Sequence, residues 1–174
     1  MAAYTGGCVD LVRALKYEGW WELARPLGQR LGRAIRSNCT PGQARAAAVV
    51  AMPSTWARRW RRGFNPASLI AEAAAAEMGA TRLDLLWRTH GAAQAGQARS
   101  ARLRATSRGW HLYPMARRAL RGRHVVLIDD VLTTGRTAGI AARLLRRAGA
   151  ASIEVGVIAV TENQNADIGL NIPG

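Results

Sequence analysis

The apolar positions of this chain change period several times, and each change marks an element. Across residues 9–36, Val9, Leu11, Val12 and Leu15, then Trp21, Leu23, Ala24, Leu27, Leu31 and Ile35, recur at three- and four-residue steps, the spacing of one helix face. Gly19 and Pro26 interrupt the run, so two shorter helices are expected rather than one long one. Residues 37–43 (SNCTPGQ) read as a turn-rich linker. Residues 46–52 form a short apolar run ending at Pro53, which suits a strand buried on both faces of a parallel sheet. Asn65 or Ser68 can cap the following helix, whose alanine-rich body reaches Met78 and stops at Gly79. Residues 83–87 are a second strand candidate.

From 89 to 110 the periodicity is lost, and Gly, Ala, Gln, Ser and Arg dominate. An irregular segment of that length inside a compact domain is normally functional or mobile. Beyond it, residues 125–128 predict a strand, 130–136 a loop, and 137–148 a helix closed by Gly149. Residues 153–160 predict another buried strand. Strands alternating with helices imply an α/β fold with a central parallel sheet and right-handed crossovers. The expected organisation is an N-terminal helical segment at 1–40 packed on the core, one α/β domain at 41–161, and a polar, flexible tail at 162–174, with no internal repeat.

Composition narrows the class. The chain has 174 residues, enough for one well-buried domain, and 49% of them are hydrophobic, as in globular proteins. No apolar stretch reaches the ~18–20 residues of a membrane span. The start, MAAYTGGCVD, lacks the basic flank and apolar run of a secretion signal, so a cytoplasmic protein without membrane contact is expected. Cys8 and Cys39 stand apart without a CxxC partner and read as isolated thiols, and His90, His111 and His124 are too scattered to suggest a zinc site. Basic residues outnumber acidic ones 25 to 11, a formal net charge of +14, and every basic residue except Lys16 is arginine. The planar guanidinium donates paired hydrogen bonds to phosphate, so the partner is expected to be a phosphorylated small molecule or a nucleic acid. A GC-rich genome writes the same bias. Trp20 and Trp21 are expected to pack in the core or under a lid rather than to stack on bases.

The chemistry concentrates in the run VVLIDDVLTTGRTA, residues 125–138. In open α/β sheets ligands sit beyond the carboxyl ends of strands, at a topological switch point, and Asp129 and Asp130 fall at such an end. Adjacent carboxylates repel, which raises one pKa unless a cation or hydrogen-bond donors relieve it; ribose hydroxyls and hydrated magnesium supply both kinds of relief. Past them, Thr133, Thr134, Gly135 and Thr137 can wrap a phosphate with backbone N–H groups and hydroxyls at a helix N-terminus. A ribose carrying a 5′-phosphate asks for both features at that separation. There is no GxxxxGK[ST] and no GxGxxG after a strand, which excludes the P-loop and dinucleotide folds.

Four hydrophobics, DD, two hydrophobics and TTG-x-T resemble the phosphoribosyl-pyrophosphate signature of type I phosphoribosyltransferases. The block AMPSTWARRWRRGFNPASLIAE, residues 51–72, resembles the PxP…RGFNQA block of ComF/GntX-type proteins, a competence-associated branch of that superfamily. Lys16, Tyr17, Gly19, Leu23 and Ala24 match its K-Y-x-G…L-A segment, and its T…Q-x-G-L…R stretch is matched at Thr89, Gln94, Gly96 and Arg102. Pro66 stands where that branch has glutamine, Ala105 where it has asparagine, and Gly109-Trp110 where it has G-x-F; its CxxC module is absent from this sequence.

The resemblance implies a phosphoribosyltransferase type I fold that binds phosphoribosyl pyrophosphate through Asp129, Asp130, Val131, Leu132, Thr133, Thr134, Gly135, Arg136 and Thr137, with Asp129 and Asp130 as the catalytic acids. It places the pyrophosphate loop at Met52, Pro53 and Ser54, and lid or anion-binding arginines at Arg58, Arg61, Arg62, Arg99 and Arg102. Magnesium is the implied cofactor, held through ligand and water rather than by direct protein ligands. Three functions stay open: transfer of phosphoribosyl to an unidentified nitrogen base, a non-catalytic nucleic-acid-binding component of DNA uptake, and a phosphoribosyl-pyrophosphate sensor. Single-stranded DNA, a competence helicase and a second copy of the chain are the further candidate partners.

Overall fold

A computed structural model describes residues 2–4, 8–54, 63–89 and 109–161. In chain order the elements are β1 (Ala2–Tyr4), α1 (Cys8–Tyr17), a short 3-10 turn at Trp21–Leu23, α2 (Ala24–Arg36), α3 (Pro41–Ala46), β2 (Ala48–Ala51), α4 (Pro66–Met78), β3 (Thr81–Arg82), β4 (Leu86–Arg88), β5 (Trp110–Leu112), α5 (Ala116–Leu120), β6 (His124–Leu132), α6 (Arg136–Arg147) and β7 (Ser152–Val160). Five strands form one parallel sheet in the order β1-β7-β6-β2-β3, while β4 and β5 pair antiparallel as a separate ribbon. From β2 the chain crosses through α4 to β3 on one side; from β6 it crosses through α6 to β7 on the other. The direction of winding therefore reverses between β2 and β6, and a crevice opens there.

Two apolar layers sandwich the sheet. On one face Val12 and Leu15 of α1, Leu31 and Ile35 of α2, and Ile70 and Met78 of α4 pack on Val49, Val126, Ile128 and Ile158. On the other, Leu120, Ile140 and Leu145 pack on Val50, Val125 and Leu127, together with Leu85 and Trp110 from the ribbon side. Each fully buried Leu, Ile or Val contributes roughly 1.5–3 kcal/mol against unfolding.

The two-helix reading of the N-terminal stretch holds, with Gly19 at φ 76 making the break. Pro26 lies in the first turn of α2, where a missing N–H costs little. Gly79 ends α4 in a left-handed conformation, as expected. Four expectations need correction. The linker contains α3, opened by a capping box in which Gln43 N–H donates to the Thr40 hydroxyl and Gln43 Oε1 accepts from Thr40 N–H. The strand expected at 83–87 is two pieces: β3 ends at Arg82, Leu83 N–H makes a last bond to Val49 O, and β4 then turns away to pair with β5. Asp130, expected in a loop, lies inside β6, because β7 runs alongside and pairs as far as Leu132–Val160. Trp20 and Trp21 are not core residues; both are more than half exposed.

Candidate functional site

The site follows from a mismatch in strand length. β2 stays paired with β6 only up to Ala51, opposite Ile128, and Met52 N–H closes the ladder on Ile128 O at 2.8 Å. Pro53 has no N–H to continue it. Beyond Ile128, β6 keeps β7 on one side and has no strand partner on the other among the described residues. The next strand N–H facing the vacated side is that of Asp130, and the Asp129 carboxylate accepts it at 2.9 Å. Asp129 thus closes the backbone edge that β2 leaves behind.

Successive strand residues point to opposite faces. Val126 and Ile128 face α1, α2 and α4, and Asp130 continues on that side, where Lys16 Nζ of α1 donates to its Oδ1 at 2.7 Å. Both side chains are largely shielded, at 19% and 14% exposure. The cation expected to relieve the acid pair is therefore already supplied by the chain. Lys16 was legible only as part of the K-Y-x-G resemblance; nothing local links it to a residue so far along the sequence.

After Leu132, the short turn 133–135 carries the chain into α6. Gly135 is its N-cap at φ 66, a left-handed conformation that a side chain would strain. No side chain caps this helix, and its first intrahelical bond is Gly139 N–H to Gly135 O. The N–H groups of Arg136, Thr137 and Ala138 consequently have no intrahelical acceptor and aim, with the positive end of the helix dipole, out of the helix start. This is an anion-binding geometry.

A cleft of about 820 Å³ joins these parts: Asp129, Asp130, Val131, Leu132, Thr133, Gly135 and Thr137 form one wall, Met52, Pro53 and Ser54 the facing one, and Lys16, Tyr17, Asn65, Pro66 and Arg88 its ends. Of the residues read from sequence, Thr134 and Arg136 are exposed and outside this lining. Met52 lines the cleft but is largely buried, with its N–H and C=O both engaged, and so anchors the loop. The Ser54 hydroxyl oxygen is buried without a hydrogen-bond partner among the described residues. Arg58, Arg61, Arg62, Arg99 and Arg102 lie outside the described residues.

Asn65 does not cap α4 with its side chain; its Nδ2 donates to Met52 O at 2.9 Å and ties the RGFN segment to the loop. Pro66, the departure from glutamine, opens α4 at a position that favours proline. Arg88 was not singled out from sequence. It lies over the ring of the buried Trp110 at 4.9 Å and lines both the main cleft and a neighbouring one of about 590 Å³. No group of three or more His, Cys, Asp or Glu among the described residues could hold a metal ion. No helix among them is long and apolar enough to cross a membrane.

Comparison with known proteins adds three findings. Residues 61–168 match the phosphoribosyl transferase domain. The DNA utilization protein YhgH of Salmonella typhi is 34% identical over 168 residues, covering 87% of this chain and 66% of the relative, and competence protein F of Haemophilus influenzae is 27% identical over 148 residues, covering 83% and 64%. The chain thus spans slightly less than two thirds of the length of these relatives. Among solved structures, the allosteric regulatory enzyme of purine biosynthesis matches 78% of this chain and 26% of its own at 18% identity with a TM-score of 0.52, a likeness of fold.

Proposed function

The chain belongs to the phosphoribosyl transferase domain family and, within it, to the ComF type of the type I superfamily; from that premise we propose that it binds phosphoribosyl pyrophosphate with magnesium and transfers phosphoribosyl to a nitrogen base. The observation that carries the reading is the placement of Asp129 and Asp130 on the open edge of β6, one short turn from the uncapped start of α6. The free N–H groups at that helix start, with the hydroxyls of Thr133 and Thr137, hold the 5′-phosphate. Asp129 and Asp130 accept hydrogen bonds from the ribose hydroxyls. Pro53, Ser54 and Arg88 then face the pyrophosphate.

Two neighbouring carboxylates, one of them already paired with Lys16, do not make a metal cage. Their hard oxygens fit a hydrated magnesium ion carried on the ligand. When bound, that ion offsets the charge on the pyrophosphate oxygens. The chain's part is to fix the anomeric carbon while its bond to the pyrophosphate oxygen breaks and a bond to the base nitrogen forms, the base losing its proton. Donors aimed at the departing group, rather than covalent chemistry, supply the acceleration. Arg99 and Arg102, on a lid that the family resemblance implies, belong to the same proposal as groups that exclude water.

Calorimetric titration with phosphoribosyl pyrophosphate and magnesium tests the reading, repeated with ribose 5-phosphate and with Asp129→Asn and Asp130→Asn. Binding that weakens at least tenfold in either variant is expected; no binding by the wild type overturns it. Pyrophosphate release across a panel of nitrogen bases tests turnover, and binding without release leaves a sensor.

A second reading has its own support. The net charge of +14 and the names of the YhgH relatives favour contact with single-stranded DNA. Phosphate contacts then make the affinity fall steeply with salt. Binding indifferent to salt removes this reading.

A further inference from the structure

We propose that Lys16 is a positioning residue of the phosphoribosyl site, a resident counter-cation that makes ribose 5-phosphate binding independent of a divalent ion. The inference rests on the reading of the cleft given above, and deepens it.

Three observations carry it. Lys16 is the last basic residue of α1, and its ammonium meets Asp130 at 2.7 Å across the whole depth of the sequence. Both partners are shielded from water, where removing one partner leaves the other charge uncompensated at high cost. Both also line the main cleft, so the ion pair belongs to the wall that meets a ligand. The other carboxylate, Asp129, is engaged by the Asp130 N–H. Asp130 thus enters binding with its negative charge balanced by an ammonium, and the Asp129 carboxylate is oriented by a backbone donor.

This assignment separates two roles that a divalent ion would otherwise combine. Balancing the acids falls to Lys16; balancing a pyrophosphate falls to whatever ion arrives with it. Ribose 5-phosphate has no pyrophosphate, so its binding isolates the first role. Without Lys16, the uncompensated charge of Asp130 adds to the repulsion within the acid pair and against the anionic 5′-phosphate, until magnesium takes the place of the ammonium.

The experiment is a ribose 5-phosphate titration followed by NMR, in EDTA and again in millimolar magnesium, and its readout is the ratio of the two affinities. The wild type and Lys16→Arg are expected to give a ratio within about twofold of one. Lys16→Met is expected to bind roughly tenfold more weakly in EDTA and to recover with magnesium, a factor of ten being about 1.4 kcal/mol. The double variant Lys16→Met with Asp130→Asn removes both charges together. It is expected to return the ratio to near one, whatever its absolute affinity, while Lys16→Gln, uncharged but polar, is expected to show the same magnesium dependence as Lys16→Met and keeps the test decisive if Lys16→Met fails to fold. A Lys16→Met ratio equal to that of the wild type, or a double variant as magnesium-dependent as Lys16→Met, overturns the role of Lys16 and leaves the cleft's assignment intact. Failure of the wild type to bind ribose 5-phosphate in either condition overturns the underlying assignment instead.

Discussion

At the scale of single residues, the site is held by a few side chains that do something other than their local sequence suggests. Asn65 stands at a helix N-cap, yet its amide is spent on Met52 O, which couples the start of α4 to the loop facing the acids. Asn65→Ala is expected to lower stability by about 1 kcal/mol, the net worth of one hydrogen bond, and, on the proposed reading that the loop meets the pyrophosphate, to weaken phosphoribosyl pyrophosphate more than ribose 5-phosphate. Chemical denaturation and paired titrations check both. Far from the cleft, His124 Nε2 lies 3.7 Å from Glu154, while its Nδ1 meets the Ser152 hydroxyl at 2.7 Å. The neighbouring histidine holds the Glu154 carboxyl below its ordinary value of 4.5, against the opposing pull of burial. A carboxyl depressed on folding adds stability that is present above its ordinary pKa and lost as pH falls through the depressed one. Melting temperature is therefore expected to drop on acidification below about pH 4.5, and Glu154→Gln to flatten that limb; parallel acid limbs for the two proteins would contradict the pairing.

At the scale of elements, α2 and α4 approach each other closely because glycine lies in the seam. A Cβ added at Gly28 would sit 2.5 Å from Ile70 O and 2.7 Å from Ala73 Cβ, and one at Gly32 2.7 Å from Ala74 O. Backbone carbonyls cannot rotate away as a side-chain end can. Alanine at either position would gain about 1 kcal/mol of helix propensity. Forcing the helices apart costs about 1–3 kcal/mol and should prevail, with valine worse than alanine. Urea midpoints for Gly28→Ala and Gly32→Val measure this; a stabilised Gly28→Ala would show that the seam can widen. Elements were legible where their signal is local. The strand–DD–TTG–helix run, the Gly79 stop and the alanine-rich body of α4 carry their pattern within a few positions. The capping box Thr40–Gln43 was equally local, but SNCTPGQ is so rich in turn formers that it read as a linker. The run 83–87 misled for a different reason: its apolar residues serve a ribbon whose partner, β5, begins only at Trp110, outside any local sequence window. Arg88, and the pairing of Lys16 with Asp130, escaped because these partners are set by the fold, α1 against β6 and β4 against β5.

At the scale of the whole molecule, the order β1-β7-β6-β2-β3 fixes where the cleft lies, since winding reverses only between β2 and β6. The same order fixes a sequence of events in time. Ala2 pairs with Gly156, so β1 has the much later β7 as its only strand neighbour among the described residues, and β2 must wait for β6 before its second edge is covered. Loop closure over such spans is slow, and little of the sheet can complete before β7 has been made. Nascent chains halted before Ser152 are expected to remain protease-sensitive at β6, and full-length chains to acquire protection in one late step. Pulse proteolysis of stalled and released chains would show it; early protection of residues 125–128 would mean that β6 is sheltered before β7 exists.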